Sequence, residues 1–197
     1  MRLFEYLPDG VTVDGKFYKL DFDFRNVLRM MDILADDNII PAARDYLALK
    51  CLTKHPRNVE NVLRAAKVLL FGDAPKTTGE RVTSFEQDAG LIRTAFRQVY
   101  HIDLFREKLH WLEFTELLQG LPDGNRYEEV LNIRSRPIPA ATKYNQKERE
   151  WLMKAKQQCA IHLTEAEAAK KYDKDVGNIF AGLMGMIPKE VKKTDGE

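Results

Sequence analysis

His110, Glu113 and Glu116 stand among large apolar residues in the stretch KLHWLEFTELLQGLP, residues 108–122. A histidine and a carboxylate three positions apart on one helix can share a metal ion, as in the Glu-x-x-His elements of di-metal bundles. Such sites take that pair from each of two helices and add two further carboxylates. This chain supplies one well-placed pair. His162 and Glu165 repeat the spacing, but Thr164 with Glu167 reads as a capping box that opens a new helix between them. At about 100° per residue, Trp111, Phe114, Leu117 and Leu118 share one face, with His110 at its margin and Glu113 one step further toward water. The spacing therefore predicts a packing helix with a boundary histidine, solvated glutamates and no metal.

Covalent chemistry has less support. The chain contains no G-x-S-x-G elbow and no G-x-x-x-x-G-K-[ST] phosphate loop, and neither Cys51 nor Cys159 has an adjacent histidine. His55 beside Pro56 and His101 at a helix junction read as cap or loop residues. Two isolated cysteines give neither a disulfide framework nor a cysteine-rich zinc site. Arg134, Arg136, Lys189, Lys192 and Lys193 could meet phosphates, yet they have acidic neighbours or sit at the chain end, so solvated surface is the expectation. No enzyme activity and no cofactor is expected.

The elements that would position these residues are helical. The chain has 197 residues, of which 44% are hydrophobic and 31% charged, enough to bury one core. Its 31 basic and 30 acidic residues give a net charge of +1, so no overall field steers it to nucleic acid or an anionic membrane. No apolar run reaches the roughly 18 residues of a membrane span, and MRLFEYLPDG lacks the order of a signal peptide. Neither nucleic acid nor membrane is an expected partner.

Asp14-Gly15 between two β-prone runs predicts a hairpin over about 10–20, with Val11 facing Tyr18 and Thr12 facing Phe17. From Asp23, a cap, the period turns helical: Phe24, Val27, Leu28, Met31 and Leu34 form a stripe. Pro41 opens a helix with Ala43, Leu47 and Cys51 inward. Asn58 caps a third, with Val59, Val62, Leu63, Ala66, Leu69 and Leu70 on one face and Gly72 as its stop. After the loop GDAPKTTGER, Ser84 and Gln87 predict a capping box and a helix carrying Phe85, Ala89, Ile92, Phe96 and Val99. The helix quoted above runs to Gly120, a short one spans Tyr127 to Arg134, and a charged one over 145–162 points Trp151, Ala155 and Cys159 inward. The expectation is a mainly α single-domain bundle of about six to eight helices with a small N-terminal β-hairpin, over 1–162. Residues 163–197 read as a helical extension and a flexible tail.

In that extension Ile179, Phe180, Leu183, Met184 and Ile187 fall at helical spacing among Gly177, Gly182 and Gly185. Each glycine costs a helix about 1 kcal/mol relative to alanine, so the segment is a poor helix alone. It either folds back on its own core or docks on a partner, for which Met-containing surfaces are well suited.

The central motifs carry a family likeness. The run SFEQDAGLIRTAF with Phe85, Asp88 and Phe96, then YHIDL over 100–104, then His110 and Trp111 with Phe114, Leu117, Leu118 and Gly120-Leu121-Pro122, resembles the bacteriophage gene-product-fifteen family of siphophages and prophages. The run DFDFR over 21–25 and Ile133-Arg134 resemble its flanking parts, so the likeness spans roughly 10–160. Leu112 stands where members often have a second tryptophan, and nothing beyond about 160 resembles the family.

The resemblance implies a non-enzymatic product of the tail-morphogenesis region, encoded just before the tape measure protein and acting in the host bacterial cytoplasm. In that position tail assembly chaperones coat the tape measure protein and recruit tail tube protein around it, with self-association as a further contact. A structural head-tail connector or tail component is the alternative, and a metal-dependent hydrolase on His110 and Glu113 a more distant one. His110 matches the family pattern together with Trp111 and is expected to hold a neighbouring helix by a hydrogen bond.

Overall fold

A computed structural model describes residues 6–72 and 82–162. The chain divides into two compact units, Met1–Cys159 and Ala160–Glu197, and every element named below belongs to the first. It is mainly α, with a two-stranded antiparallel hairpin at its head.

Strands β1 (Gly10–Val13) and β2 (Lys16–Lys19) pair with Val11 opposite Tyr18 and Thr12 opposite Phe17, the register set by the Asp-Gly turn. Asp14 at φ 51° and Gly15 at φ 73° adopt the left-handed pair of a two-residue hairpin. Asp23 caps α1 (Phe24–Ala35), its carboxylate accepting the Arg25 N–H at 3.0 Å. That helix buries Phe24, Val27 and Met30, with Leu28, Met31 and Leu34 half-buried beside them.

Helix α2 (Pro41–Leu52) turns a different face inward from the one its spacing suggested. Ala48, Leu49 and Leu52 are buried, whereas Leu47 is exposed and Ala43 and Cys51 are intermediate. Apolar residues surround α2, so periodicity alone does not choose a side; its packing against α1 and α3 does. The Leu52 carbonyl accepts the Asp21 N–H at 2.8 Å and helps hold that orientation. Helix α3 (Val59–Phe71) buries Val62, Leu63, Ala66 and Leu70 as expected and lies against β1. Asn58 precedes it at φ 45° but makes no side-chain cap, its carboxamide oxygen accepting from Asn61 at 3.0 Å instead.

Helix α4 (Ala89–Val99) begins four residues later than the Ser84 signal suggested, after a turn over 85–88. Ser84 Oγ does accept the Gln87 N–H at 3.3 Å, but the reciprocal bond to the Ser84 N–H comes from Asp88, at 2.9 Å, not from Gln87. The box is thus stretched by one residue, which leaves Ala89 exposed and Ile92, Ala95 and Phe96 buried.

Helices α5 (Trp111–Gln119), α6 (Arg126–Ser135) and α7 (Gln146–Gln158) complete the described unit. Asn125 caps α6 by accepting the Glu128 N–H at 3.0 Å. Helix α7 corrects another expectation: Trp151 is 57% exposed and Leu152 is fully buried. The cause lies in its polar face. Lys156 Nζ donates to the Arg134 carbonyl and Arg134 Nε donates to the Cys159 carbonyl, each at 2.5 Å, which fixes residues 156 and 159 against α6. Leu152 is four and seven positions earlier and shares that face. Leu152→Ala should therefore cost about 2–4 kcal/mol in urea denaturation, while Trp151→Ala should stay within about 0.5 kcal/mol. A larger loss for Trp151 would refute this placement of α7.

The core centres on Phe114, stacked on Phe24 and Phe96 with centroids 4.7 and 5.3 Å away and flanked by Trp111 and Phe85. Trp111 Nε1–H donates to the Leu70 carbonyl at 3.2 Å, so the buried indole is satisfied and ties α5 to the end of α3.

Candidate functional site

His110 is an N-cap, and the helix it was expected to ride begins one residue after it. Residues 22–24 and 109–111 lie side by side: Phe24 N–H donates to the Leu109 carbonyl at 3.0 Å and Trp111 N–H to the Phe22 carbonyl at 2.8 Å. This short extended pairing turns the imidazole back over α5. Nδ1 accepts the Leu112 N–H at 3.1 Å, and Nε2 lies 2.9 Å from the Pro8 carbonyl. An accepting Nδ1 places the proton on Nε2, which donates to Pro8; that tautomer follows from the two partners. His110 thus holds its own helix and the segment before β1, not a neighbouring helix.

Both ring nitrogens are committed, and Glu113 and Glu116 are exposed on α5 outside the cap. Among the described residues no group of three or more histidine, cysteine or carboxylate side chains is placed to hold a metal ion. His110→Ala should destabilise by about 0.5–2 kcal/mol, the usual range for a lost cap, and His110→Asn should restore much of it. Equal losses for both variants would show that the Pro8 contact, not the cap, carries the effect.

Asp88 and Arg134, 46 positions apart, form the second node. The guanidinium meets the carboxylate through two bonds, Nη1 to Oδ2 at 2.7 Å and Nη2 to Oδ1 at 2.8 Å, with side-chain exposures of 10% and 2%. Nη1 also donates to the Val82 carbonyl at 2.9 Å, so one arginine closes the 82–88 turn onto α6 and the end of α7. The Asp88 hydrogen bonds push the Arg134 guanidinium further above its ordinary value, keeping it charged. Sequence reasoning had placed Arg134 on solvated surface; a partner brought in by folding reverses that. Arg136 is exposed, as expected, and pairs with Glu148 at 2.5 Å.

Reactive groups outside these nodes are muted. Burial pushes the Cys51 thiol up and so disfavours the thiolate, against a smaller opposing effect of Arg29. Burial likewise pushes the Tyr127 phenol up.

A surface feature emerges between α1, α4 and the loop before α5. An apolar groove of about 160 Å³ is lined by Phe24, Leu28, Phe85, Ile92, Leu104 and Phe114. Phe105 forms its lip and is 75% exposed. Arg25 lies over the Phe24 ring at 4.8 Å and Arg93 over the Phe105 ring at 3.9 Å. Arg25 Nη2 clamps the loop through the Leu104 and Glu107 carbonyls at 2.9 and 2.6 Å. Asp103 bonds Arg93 at 3.3 Å, and its carboxyl is held below the ordinary value chiefly by the Phe105 N–H and then by Arg93. Sequence reasoning missed Phe105 and Arg93. The one signal available was Phe105 itself, a large aromatic in the short HIDLFREK break between two helices.

Of the motif residues, Phe85, Phe96, Trp111 and Phe114 meet in the aromatic cluster, Leu118 packs half-buried against it, Asp88 joins Arg134, and His110 caps α5. Ile179, Phe180, Leu183, Met184 and Ile187 lie outside the described residues.

The class these features define is a hairpin-headed helical domain whose shared motif residues lock the fold. The chain belongs to the bacteriophage Gp15 protein family, whose model matches residues 3–71 and 69–161. The gene-product-fifteen resemblance read from the motifs is thereby borne out, and it covers the whole helical unit apart from its first residues. No curated protein and no solved structure matches the chain.

Proposed function

We propose that this phage protein is a tail assembly chaperone that binds the tape measure protein and assists tail tube assembly without catalysing a reaction. The observation that carries the reading is the apolar groove with Phe105 exposed at its lip. An exposed aromatic beside a small preformed apolar cleft is a characteristic anchor point for a partner helix, and a cleft of this volume takes one apolar side chain of that helix. Phe85 and Phe114 form part of the groove and also belong to the family-like motif. The position before the tape measure gene, implied by that likeness, supplies a partner of the right kind. The apolar segment of residues 176–188 serves as a second contact, either with that partner or between copies of this chain.

Co-expression with the tape measure protein is the test. The partner should become soluble and co-purify with the wild-type chain, and Phe105→Asp should abolish capture while leaving the melting curve unchanged. Capture that survives Phe105→Asp and is lost on deletion of 176–197 would move the contact to the tail. The alternative of a virion component is separated by mass spectrometry of purified particles, from which a chaperone is absent. A hydrolase centred on His110 and Glu113 would first have to break both imidazole hydrogen bonds.

A further inference from the structure

A second groove, of about 820 Å³, opens between the segment before β1, the end of α2 and residues 108–110. Its size falls within the range of about 300–1,000 Å³ typical of ligand-holding clefts. Its floor is apolar: the half-buried Leu7, Pro8 and Cys51 supply the accessible surface, and the buried Leu20, Leu52 and Leu109 line it from the core. Lys19, Lys50, Lys54 and Lys108 line it from three separate stretches of the chain, and all are exposed. None of them forms an ion pair among the described residues. The exposed carboxylates on the same walls are Asp9 and Asp21, and Asp21 already accepts the Asp23 N–H at 3.1 Å. The buried Asp23 is held by Arg25. In a chain whose net charge is only +1, folding has gathered a basic excess around one apolar floor.

We propose that this groove binds an acidic, leucine-bearing peptide segment of a partner protein. Its carboxylates would meet the lysine rim and its apolar side chains the half-buried Leu7, Pro8 and Cys51 surface, so that charge sets orientation and burial supplies affinity. Single-stranded nucleic acid would satisfy the lysines but also needs exposed aromatic faces on which bases stack. The groove's phenylalanine, Phe22, is 2% exposed and sits edge-on to the His110 ring, so it presents no such face. The inference is independent of the tape measure reading, because it concerns a different face and does not require that partner.

The test is fluorescence anisotropy with a short labelled peptide of glutamate and leucine, using the full chain. Lys54→Glu/Lys108→Glu should weaken binding roughly tenfold through lost attraction and added repulsion. Because both side chains are exposed, thermal melts should match the wild type. Lys143→Glu/Lys147→Glu, the same charge change at exposed positions outside the groove, should leave binding intact. A peptide with lysine replacing glutamate should bind the Lys54→Glu/Lys108→Glu variant better than the wild type. Equal weakening by both double variants, or no weakening by the first, would overturn the proposal. Displacement of the peptide by an equal concentration of oligothymidylate would overturn it in favour of a nucleic-acid site.

Discussion

Asp88→Ala is expected to destabilise the domain by about 3–5 kcal/mol, the range for breaking a buried ion pair by removing one partner. The Arg134 guanidinium would remain charged at 10% exposure with, among the described residues, the Val82 and Cys159 carbonyls as its remaining acceptors, and the Ser84 N–H would lose its Asp88 acceptor. Arg134→Met should cost a similar amount by stranding the carboxylate. Asp88→Ala/Arg134→Met should cost much less than the sum of the two losses, because the double variant removes both charges and leaves neither stranded. Urea denaturation of the two single variants and the double variant measures the coupling. Additive losses, or a single-variant loss below about 1 kcal/mol, would show that the pair does not hold the fold. The consequence reaches the surface: the pair fixes the 82–88 turn, and that turn carries Phe85 into the apolar groove. Asp88→Ala protein that stays folded at low temperature should therefore capture partner less well.

The parts legible in the sequence are those governed by local rules. Asp14-Gly15 dictated the hairpin and its register because a two-residue turn leaves one way to pair the strands. The α3 face was legible because most of its apolar residues share one side, with Val68 and Phe71 left exposed. Helix α2 was not, since apolar residues surround it and the choice between Leu47 and Leu49 belongs to α1 and α3. Trp151 illustrates the opposite failure: hydrophobicity nominated it, but a lysine and a cysteine carbonyl bonded to Arg134 turned Leu152 inward instead. His110 was noticed for its possible ligand chemistry, and its actual work depended on a carbonyl 102 positions away. Asp88 and Arg134 were both picked out by the family likeness, yet no local period links residues 46 apart, so their pairing had to come from the fold. The groove was hidden for the same reason: α1, α4 and the loop carrying Phe105 acquire a shared wall only after folding.

Phe114→Ala should cost about 3–5 kcal/mol, since it leaves a phenylalanine-sized cavity where four other aromatic rings meet. Aromatic pairs contribute about 0.5–1.5 kcal/mol each beyond area burial, so the stacked contacts to Phe24 and Phe96 place the loss toward the upper end. Phe114→Leu keeps much of the volume and should lose no more than about 2 kcal/mol. Urea midpoints at constant slope would establish both values, and a Phe114→Ala loss under about 1 kcal/mol would refute the central position of this ring. Partner capture then separates stability from recognition. Phe96 is fully buried and lies outside the groove lining, so Phe96→Ala should destabilise comparably and weaken capture only through unfolding. Phe105 is 75% exposed, so Phe105→Ala should leave the urea midpoint near wild type and weaken capture directly. Phe114 is fully buried as well, at 1% exposure, but unlike Phe96 it lines the groove from beneath and so supports its shape. Phe114→Leu should accordingly reduce capture by more than its loss of folded protein accounts for, while Phe96→Leu should not. If the two leucine variants lose capture strictly in proportion to stability, the groove wall takes no part in recognition, and the partner engages the lip at Phe105 alone.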